Sequence, residues 1–444
     1  MTLAPSRPQS WATVRDGKRA GMGETFGLRS PALLKRLGPG LITGAADDDP
    51  SGIATYSQAG AQFGLNMLWS VVLTFPLMVA VQIVAARIGR VTGKGLAANM
   101  TQVFPRNVVA ALVTLLFIAN TINIGADLAA MGAAAALLAG GWAHVFTLGL
   151  AAVSMLLQVF VPYHRYVRFL KWLTLALFAY VGVVFAVKID WGEVALRVVA
   201  PQASFNVATI TMVVAIFGTT ISPYLFFWQA SEEVEDEEAN PAEEPLLVKP
   251  EQAPEQFRRI KLDTLVGMGF SNLIAFFIIL TTAVTLHAAG MTDIQTSAQA
   301  AEALRPVAGP FAFMLFTLGI IGAGMLAVPV LAGSAAYAIA EAQGWRLGLE
   351  RKVREARGFY AVIGVAMVLG VAVDYSPLDP IKALFWSAVL NGVISVPIMA
   401  AMMIVASRRH EMGRFIATPL QMVFGWLATA VMAAATVAMI ALAF

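Results

Sequence analysis

Residues 38–64 read GPGLITGAADDDPSGIATYSQAGAQFG and carry the strongest structural signal in the chain. It is apolar over most of its length, yet Asp47, Asp48 and Asp49 follow one another at its centre and Pro50 comes directly after them. A carboxylate at the centre of a membrane helix costs about 2.5–3.5 kcal/mol on insertion scales. Proline also removes a backbone hydrogen-bond donor. The sequence therefore predicts a membrane helix that is broken at a functional site.

The rest of the chain is also typical of a membrane protein. Of its 444 residues, 58% are hydrophobic and only 13% are charged. A bilayer core about 30 Å thick requires roughly 20 apolar residues per helix. Several segments reach this length without any Asp, Glu, Lys or Arg, and shorter or interrupted segments bring the expected number of spans to eleven. The predicted spans are 38–63, 67–86, 108–124, 142–161, 169–187, 207–230, 264–286, 306–340, 358–373, 383–406 and 415–444.

The distribution of basic residues predicts the orientation of these spans. Almost all of the 30 Lys and Arg residues fall in the N-terminal tail or in the connections that follow an even-numbered span; the exceptions are Lys188, Arg197, Arg305 and Lys382. Because cytoplasmic loops carry an excess of basic residues, we expect a multi-pass protein of the inner or plasma membrane with a cytoplasmic N-terminus and an external C-terminus. The same bias explains the basic clusters without nucleic-acid binding.

Two hydrophilic segments lie outside the predicted spans. Residues 1–30 are basic and show little apolar periodicity, so we expect a disordered cytoplasmic tail. Residues 231–255 carry ten acidic residues. Such runs repel themselves and usually stay solvated, so we expect a flexible cytoplasmic loop. The alternative is a vestibule that attracts cations, because Glu232 and Glu233 directly follow the sixth span.

A second interruption lies in the sixth span, where AIFGTTISPYLFFWQAS places Ser222 and Pro223 at mid-span. A pair of Gly/Pro-interrupted spans five helices apart predicts an inverted repeat with its site near the bilayer midplane. We therefore expect an all-α polytopic membrane protein with broken helices 1 and 6. Its predicted units are a first five-helix repeat at residues 31–188, a second at residues 189–407 and an extra eleventh helix at residues 408–444.

Physical chemistry indicates what such a site would bind. Unwound backbone at membrane depth exposes carbonyl oxygens, which are tolerated only where they line a cavity or hold an ion. Asp49 adds negative charge, so the site should favour a cation over an anionic substrate. Gly52 and Thr219 would contribute backbone carbonyls or simply permit the breaks. Ser222 would either bind the ion or bond its own backbone. The absence of cysteine excludes thiolate ligands.

Other polar residues of the spans have less direct assignments. On a helix, Asp48 and Asp47 point roughly 100° and 200° away from Asp49. We expect them to line a vestibule, to orient ligands or to cap the helix. Asn391 in the tenth span would reach the site or make a hydrogen bond between helices.

Residues 38–64 resemble the first helix of the Nramp family of divalent-metal transporters, whose signature there is Asp-Pro-Gly-Asn followed by a similar QAGAQFG ending. IGADLAAMGAAAALL at residues 124–138 is similar to the family's third-helix Asp-Leu-Ala-Glu phrase. The resemblance implies a LeuT-type fold, a transport function without catalysis, and no cofactor apart from the transported ion. The expected partners are that ion and the lipid bilayer. A monomer is sufficient, and the oligomeric state stays open.

The chain departs from the family's pattern at the site. Residues 49–52 read DPSG in place of DPGN, and residues 222–224 read SPY where metal-transporting members have Met-Pro-His. A thioether is a soft ligand that helps to select manganese or iron, whereas a hydroxyl is hard. Magnesium keeps several waters and needs only one or two carboxylates. These substitutions resemble the family's magnesium-transporting branch, so we expect Mg²⁺ as the substrate, with Mn²⁺ tolerated.

Proton coupling is expected to be weak or absent. Coupled members carry a histidine in the sixth helix and a glutamate three residues after the third-helix aspartate, and here these positions are Tyr224 and Ala130. Tyr224 and Asp127 are expected to surround the site. The nearest alternative is a proton-coupled Mn²⁺/Fe²⁺ transporter of the Nramp type. A distant one is an intramembrane aspartyl protease that pairs Asp49 with Asp127.

Overall fold

The computed structural model describes residues 39–161, 173–202, 204–349, 351–375 and 379–443, and it is nearly all helical over these ranges. The tail expected at residues 1–30 lies outside them. The described helices of at least eight residues are, in chain order, α1 Pro39–Asp47, α2 Pro50–Phe63, α3 Leu68–Thr92, α4 Leu96–Val103, α5 Arg106–Ala139, α6 Ala143–Phe160, α7 Phe178–Ala186, α8 Trp191–Val199, α9 Val207–Thr220, α10 Pro223–Ala239, α11 Ala253–Thr282, α12 Ala312–Gln343, α13 Arg357–Asp374, α14 Pro380–Ser407 and α15 Pro419–Ala443.

The expected count of eleven spans is not confirmed. Within the described ranges, 9 helical stretches are long and apolar enough to cross a membrane, or 10 if the pair Leu175–Ala186 and Trp191–Val199, bent by 118°, forms one span. One reason is that α2 continues through a 3₁₀ turn at Gly64–Met67 directly into α3, so two expected spans merge into one stretch. Another is that residues 169–172, at the start of the fifth expected span, fall outside the described residues.

Buried and exposed side chains are distributed as in a membrane protein. Large apolar side chains such as Leu156 of α6 and Val437 of α15 are more than half exposed. Asn123 and Asp127 of α5 are fully buried. In a bilayer, apolar side chains can face lipid, whereas polar groups must find partners inside the protein. The polar interior is therefore where the functional site has to be sought.

Both predicted helix breaks are confirmed. Asp48 and Asp49 separate α1 from α2, and Pro50 is the first residue of α2. Ile221 and Ser222 separate α9 from α10, whose first residue is again a proline. Proline suits the first helical position because its missing N–H would have no partner there anyway. The two prolines thus end one half-helix and start the next inside the same span.

Glycines let the half-helices pack closely on their neighbours. α1 packs on α11, and a Cβ added to Gly44 would lie 2.3 Å from the carbonyl of Gly267. α9 packs on α14, and a Cβ added to Gly218 would lie 2.1 Å from the carbonyl oxygen of Ala388. Small residues at helix contacts are typical of membrane proteins. These contacts fix where the broken ends of α1 and α9 lie.

The acidic segment 231–255 is not the solvated loop that its charge predicts. α10 continues through it as far as Ala239. Its carboxylates pair with basic residues from several parts of the chain: Glu233 with Arg259, Glu238 with Arg351, Glu243 with Arg90, and Glu244 with Lys249. This pairing offsets the self-repulsion on which the loop prediction rested.

Gly218→Ala is expected to destabilise the protein, because the new Cβ would overlap the Ala388 carbonyl and the backbone of Gly392. Overpacking of this kind costs about 1–3 kcal/mol. The matched control is Gly149→Ala on α6, where an added Cβ meets nothing within 4 Å. Thermal unfolding in detergent micelles measures the difference. Equal melting temperatures for the two variants would contradict the described contact between α9 and α14.

Candidate metal site

Asp49 lies at the first break and is only 1% exposed. It is the N-cap of α2. Its carboxylate accepts a hydrogen bond from the Gly52 amide at 2.7 Å and others from the Ser51 hydroxyl at 2.7 and 2.9 Å. These donors and the positive end of the α2 dipole favour negative charge on the carboxylate. A carboxylate that accepts hydrogen bonds from the next residues of the chain therefore lies between the two halves of a broken helix.

Asn123 of α5 connects the other polar side chains to Asp49. Its amide nitrogen donates to Asp49 Oδ2 and to Asp127 Oδ2, each at 3.1 Å. Its oxygen accepts a hydrogen bond from Asn391 Nδ2 at 2.8 Å. Asp127 Oδ1 and Asn391 Oδ1 are buried and have no hydrogen-bond partner among the described residues. One side chain thus brings the expected residues Asp127 and Asn391 to the same side of the break.

Asp47 and Asp48 lie against a different helix. The Ser271 hydroxyl of α11 donates to Asp47 Oδ2 at 2.5 Å and lies 3.0 Å from Asp48 Oδ1. Both carboxylates are buried, with exposures of 0% and 3%. The three consecutive aspartates therefore divide between α5 and α11, and they do not converge on one point.

The second break lies directly against the first. A Cβ added to Gly52 would lie 3.0 Å from Thr219 Oγ1, so these two expected site residues are neighbours. Thr219 Oγ1 is buried and has no hydrogen-bond partner in the described part of the chain. Tyr56 OH and Thr220 Oγ1, 3.0 Å apart, join α2 to α9. The broken ends of the first and sixth spans thus form one polar region.

Ser222 and Tyr224 both donate to backbone carbonyls. Ser222 Oγ is 2.8 Å from the carbonyl oxygens of Gly218 and of Thr219, which is the backbone-bonding role considered for it. Tyr224 OH donates to the Ala46 carbonyl at 3.3 Å and so joins α10 to α1. Because a hydroxyl has two acceptor lone pairs as well as its proton, the Ser222 oxygen can still accept a cation while it donates.

Glu232 and Glu233 lie further along α10, and the structure does not bring them to the break. Glu233 is fully buried, pairs with Arg259 and has an oxygen 3.5 Å from Gln229 Nε2. Thr43 of α1 donates to Gln229 Oε1 at 2.6 Å. Glu232 is partly exposed and also has a partner. These side chains form a separate polar connection between α1, α10 and α11.

The donors at the breaks are oxygen atoms of several kinds. Across the described ranges, no group of three or more His, Cys, Asp or Glu side chains could hold a metal ion. The breaks instead offer separated carboxylates, hydroxyls, amide oxygens and backbone carbonyls. Such hard donors suit ions that keep part of their water shell. The arrangement favours loose, exchangeable coordination over a permanently held metal.

Asn123, Ser271 and Gln229 belong to the polar interior, although the sequence-based prediction does not include them. Asn123 precedes Asp127 by four residues, so both lie on one face of α5, and this polar pair inside an apolar span was an available signal. Ser271 is an isolated hydroxyl whose contact with Asp48 spans 223 positions of sequence. No local pattern indicates a contact of that kind.

A family model described as "Natural resistance-associated macrophage protein-like", or Nramp, matches residues 40–442. This range includes both breaks and all the polar residues around them. The chain belongs to the Nramp family. Members of this family are transporters, so the protein is a multi-pass membrane transporter and not an enzyme. The aspartyl-protease alternative is therefore wrong.

Curated relatives match nearly the whole chain. The "Divalent metal cation transporter MntH" of Burkholderia ambifaria is 27% identical over 433 residues, which cover 92% of this chain and 88% of that protein. A protein of the same name from Acidiphilium cryptum is 26% identical, and the match covers 87% of this chain and 85% of that one.

Solved structures share the fold. A manganese transporter of Eremococcus coleocola, crystallised with an aromatic bis-isothiourea substituted compound, gives a TM-score of 0.71 at 15% identity and covers 94% of this chain and 88% of that one. The nucleobase-cation-symport-1 family transporter Mhp1, in a closed conformation, gives a TM-score of 0.57 at 13% identity with 92% of each chain covered. The LeuT-type fold implied by the family resemblance is therefore confirmed.

Replacing Asn123 and Asn391 by alanine should give non-additive losses of stability, because either change breaks the hydrogen bond between the two amides. Asn123→Ala also removes a donor from two buried carboxylates, and an unsatisfied buried group costs about 1–3 kcal/mol. We expect a coupling free energy of about 0.5–3 kcal/mol in a double-mutant cycle of unfolding in detergent micelles.

The control cycle pairs Asn123→Ala with Asn99→Ala. Among the described residues, the Asn99 side-chain amide donates to Thr92 Oγ1 and to the carbonyls of Lys94 and Gly95. It shares no partner with Asn123, so these losses should add to within about 0.5 kcal/mol. Additive losses for Asn123 and Asn391 would contradict the hydrogen-bonded connection at the site.

Proposed function

We propose that this protein imports divalent metal cations, with Mg²⁺ as the preferred ion and Mn²⁺ tolerated. The observation that carries the proposal is a buried carboxylate, Asp49, between two half-helices and beside the second broken helix. Transporters with paired broken helices hold substrates and ions near the bilayer midplane at such points. The name of the relatives in Burkholderia and Acidiphilium supports divalent cations as the class of substrate.

The choice of Mg²⁺ rests on the hardness of the donors. Ser222 offers a hydroxyl where a thioether would favour softer ions. The backbone carbonyls of Gly52 and Thr219 are likewise hard oxygen donors. Mg²⁺ dehydrates reluctantly and is usually bound through one or two carboxylates while it keeps several waters. In this proposal Asp49 is the direct ligand, and the Gly52 and Thr219 carbonyls and Ser222 Oγ complete the site.

Import needs little or no proton coupling in this proposal. Tyr224 stands where the resemblance to coupled members would require a histidine, and its hydroxyl is engaged by the Ala46 carbonyl. An inside-negative membrane potential drives a divalent cation inward whatever the orientation of the chain. A divalent ion gains about 4.6 kcal/mol per 100 mV, which is twice the value for a single charge. This is sufficient for accumulation.

A proton-coupled Mn²⁺/Fe²⁺ transporter is the second candidate. It is favoured by the contact between Asn123 and two carboxylates, because Asp127 lies only one hydrogen-bonded side chain away from Asp49. A protonatable group at that distance could exchange a proton when the ion binds. The likeness to a manganese transporter of known structure points in the same direction for the choice of metal.

Uptake into proteoliposomes separates the two candidates. The purified protein is reconstituted with an inside-negative potential, and Mg²⁺, Mn²⁺ or Ca²⁺ is added outside while metal-sensitive and pH-sensitive dyes report from the lumen. We expect entry of Mg²⁺ and Mn²⁺ with little change of internal pH. Entry of Mn²⁺ but not Mg²⁺, together with acidification, would favour the proton-coupled candidate. A wild-type protein that takes up none of the three ions would contradict the proposal as a whole.

Asp49→Ala should abolish this uptake because it removes the direct ligand. The matched control is Asp379→Ala. Asp379 is likewise the N-cap of a helix that begins with proline, and it accepts a hydrogen bond from the Ile381 amide at 2.9 Å, but it lies at the start of α14. The control should retain uptake. Substantial uptake by Asp49→Ala would contradict the role of this residue as the ligand.

A further inference from the structure

The C-terminal end of α1 brings two carboxyl groups together with no described basic side chain paired to them. α1 ends at Asp47, and Asp48 is the next residue. The last carbonyls of a helix carry partial negative charge, so carboxylates are unfavourable there. Asp49 has the opposite environment, because it lies at the positive start of α2. Two of the three aspartates are therefore held where the helix itself repels them.

Burial makes the charged form of these two carboxyl groups still less favourable. Asp47 is fully buried, and its Oδ1 atom has no hydrogen-bond partner among the described residues. Neither Asp47 nor Asp48 forms an ion pair with any described Lys, Arg or His. A buried anion without a counter-charge is expensive. A cation that binds between the two carboxylates would offset the cost.

Ser271 lies between the carboxyl groups of Asp47 and Asp48 and contacts both. Its hydroxyl lies within 3.0 Å of one oxygen from each aspartate, so the two carboxylates converge beside a single atom. The close contact of Gly44 with Gly267 sets the register, because Asp48 and Ser271 each follow one of these glycines by four residues, one helical turn. Two carboxylates and a hydroxyl are hard donors that suit a partly hydrated divalent cation.

A series of polar side chains leads from Asp47, Asp48 and Ser271 to the acidic part of α10. Thr43 precedes Asp47 by four residues and so lies on the same face of α1. It donates to Gln229, which is followed four residues later by Glu233 on the same face of α10. Glu233 is the partner of Arg259. The group at Ser271 thus lies between the breaks and a buried ion pair.

We infer that Asp47 and Asp48, oriented by Ser271, form a second cation site that receives the divalent ion when it leaves Asp49. This inference rests on the proposed function, since the ion is the transported one. The site has its own carboxylates and its own helix contact, so it should bind a cation when Asp49 is neutralised. Asp49 and this pair act as successive stations for one ion.

Binding of Mn²⁺ to the purified full chain in detergent tests the inference, with the free ion measured by electron paramagnetic resonance. Asp49→Asn should stop transport but retain Mn²⁺ binding, at an affinity about tenfold lower than that of the wild type. The further changes Asp47→Asn and Asp48→Asn should remove the retained binding. Ser271→Ala, made with Asp49→Asn, should weaken it by about tenfold more, because Ser271 orients the carboxylates.

The matched control is Glu341→Gln, also made with Asp49→Asn. Glu341 is a buried carboxylate whose oxygens accept hydrogen bonds from the Ala97 and Ala98 amides and from Ser231. Its own donors satisfy it, so this change should leave the retained binding unaltered. If the variant with all three aspartates replaced does not fold, Asp48→Asn with Asp49→Asn takes its place. That pair should also weaken the retained binding by about tenfold.

Three results would overturn the inference. One is a wild-type protein that transports while Asp49→Asn binds no Mn²⁺. Another is retained binding that is unchanged when Asp47 and Asp48 are replaced. The last is a wild-type protein that neither transports nor binds a divalent ion, which would overturn the proposed function as well. The first two leave the proposed function intact, so failures of the two claims can be distinguished.

Discussion

A backbone that leaves the helix inside a membrane must hydrogen-bond its freed groups within the protein or offer them to an ion. Both breaks of this chain meet that requirement with side-chain and backbone groups of their own. At the first break the Asp49 carboxylate accepts from the Gly52 amide, and at the second the Ser222 hydroxyl donates to the carbonyls of Gly218 and Thr219. Glycine contacts hold the broken ends against α11 and α14. The interior is therefore polar at mid-depth while the outer surface stays apolar.

Helix ends give neighbouring aspartates different properties. Asp49 caps the start of α2, whereas Asp47 closes the end of α1, so the same side chain meets fields of opposite sign within three residues. Asn123 ties the first to α5, and Ser271 ties the second to α11. Three acidic residues in a row thus lie in two different environments and not in one crowded cluster.

The residue types around each break predict where the helices end. The contacts of the site and the structure of the acidic segment depend on residues far apart in sequence. Pro50 and Pro223 indicate where helices must end, and their spacing indicates the paired repeat. The contact of Asn123 with Asp49 spans 74 residues, and no periodicity reveals it. The charge of the acidic segment predicts a loop because two of its four basic partners, Arg90 and Arg351, lie far away in sequence. The span count differs because a 3₁₀ turn at Gly64–Met67 carries the chain straight from α2 into α3, even though Gly64, with a φ of 59°, caps α2.

In the proposed mechanism the transported ion binds where the two breaks meet, and anomalous scattering from Mn²⁺ in crystals of the wild-type protein locates that ion. We expect a peak about 2.0–2.6 Å from an Asp49 carboxylate oxygen, on the side that faces Thr219. A peak with no ligand from Asp49 and none from the second break would contradict this binding site.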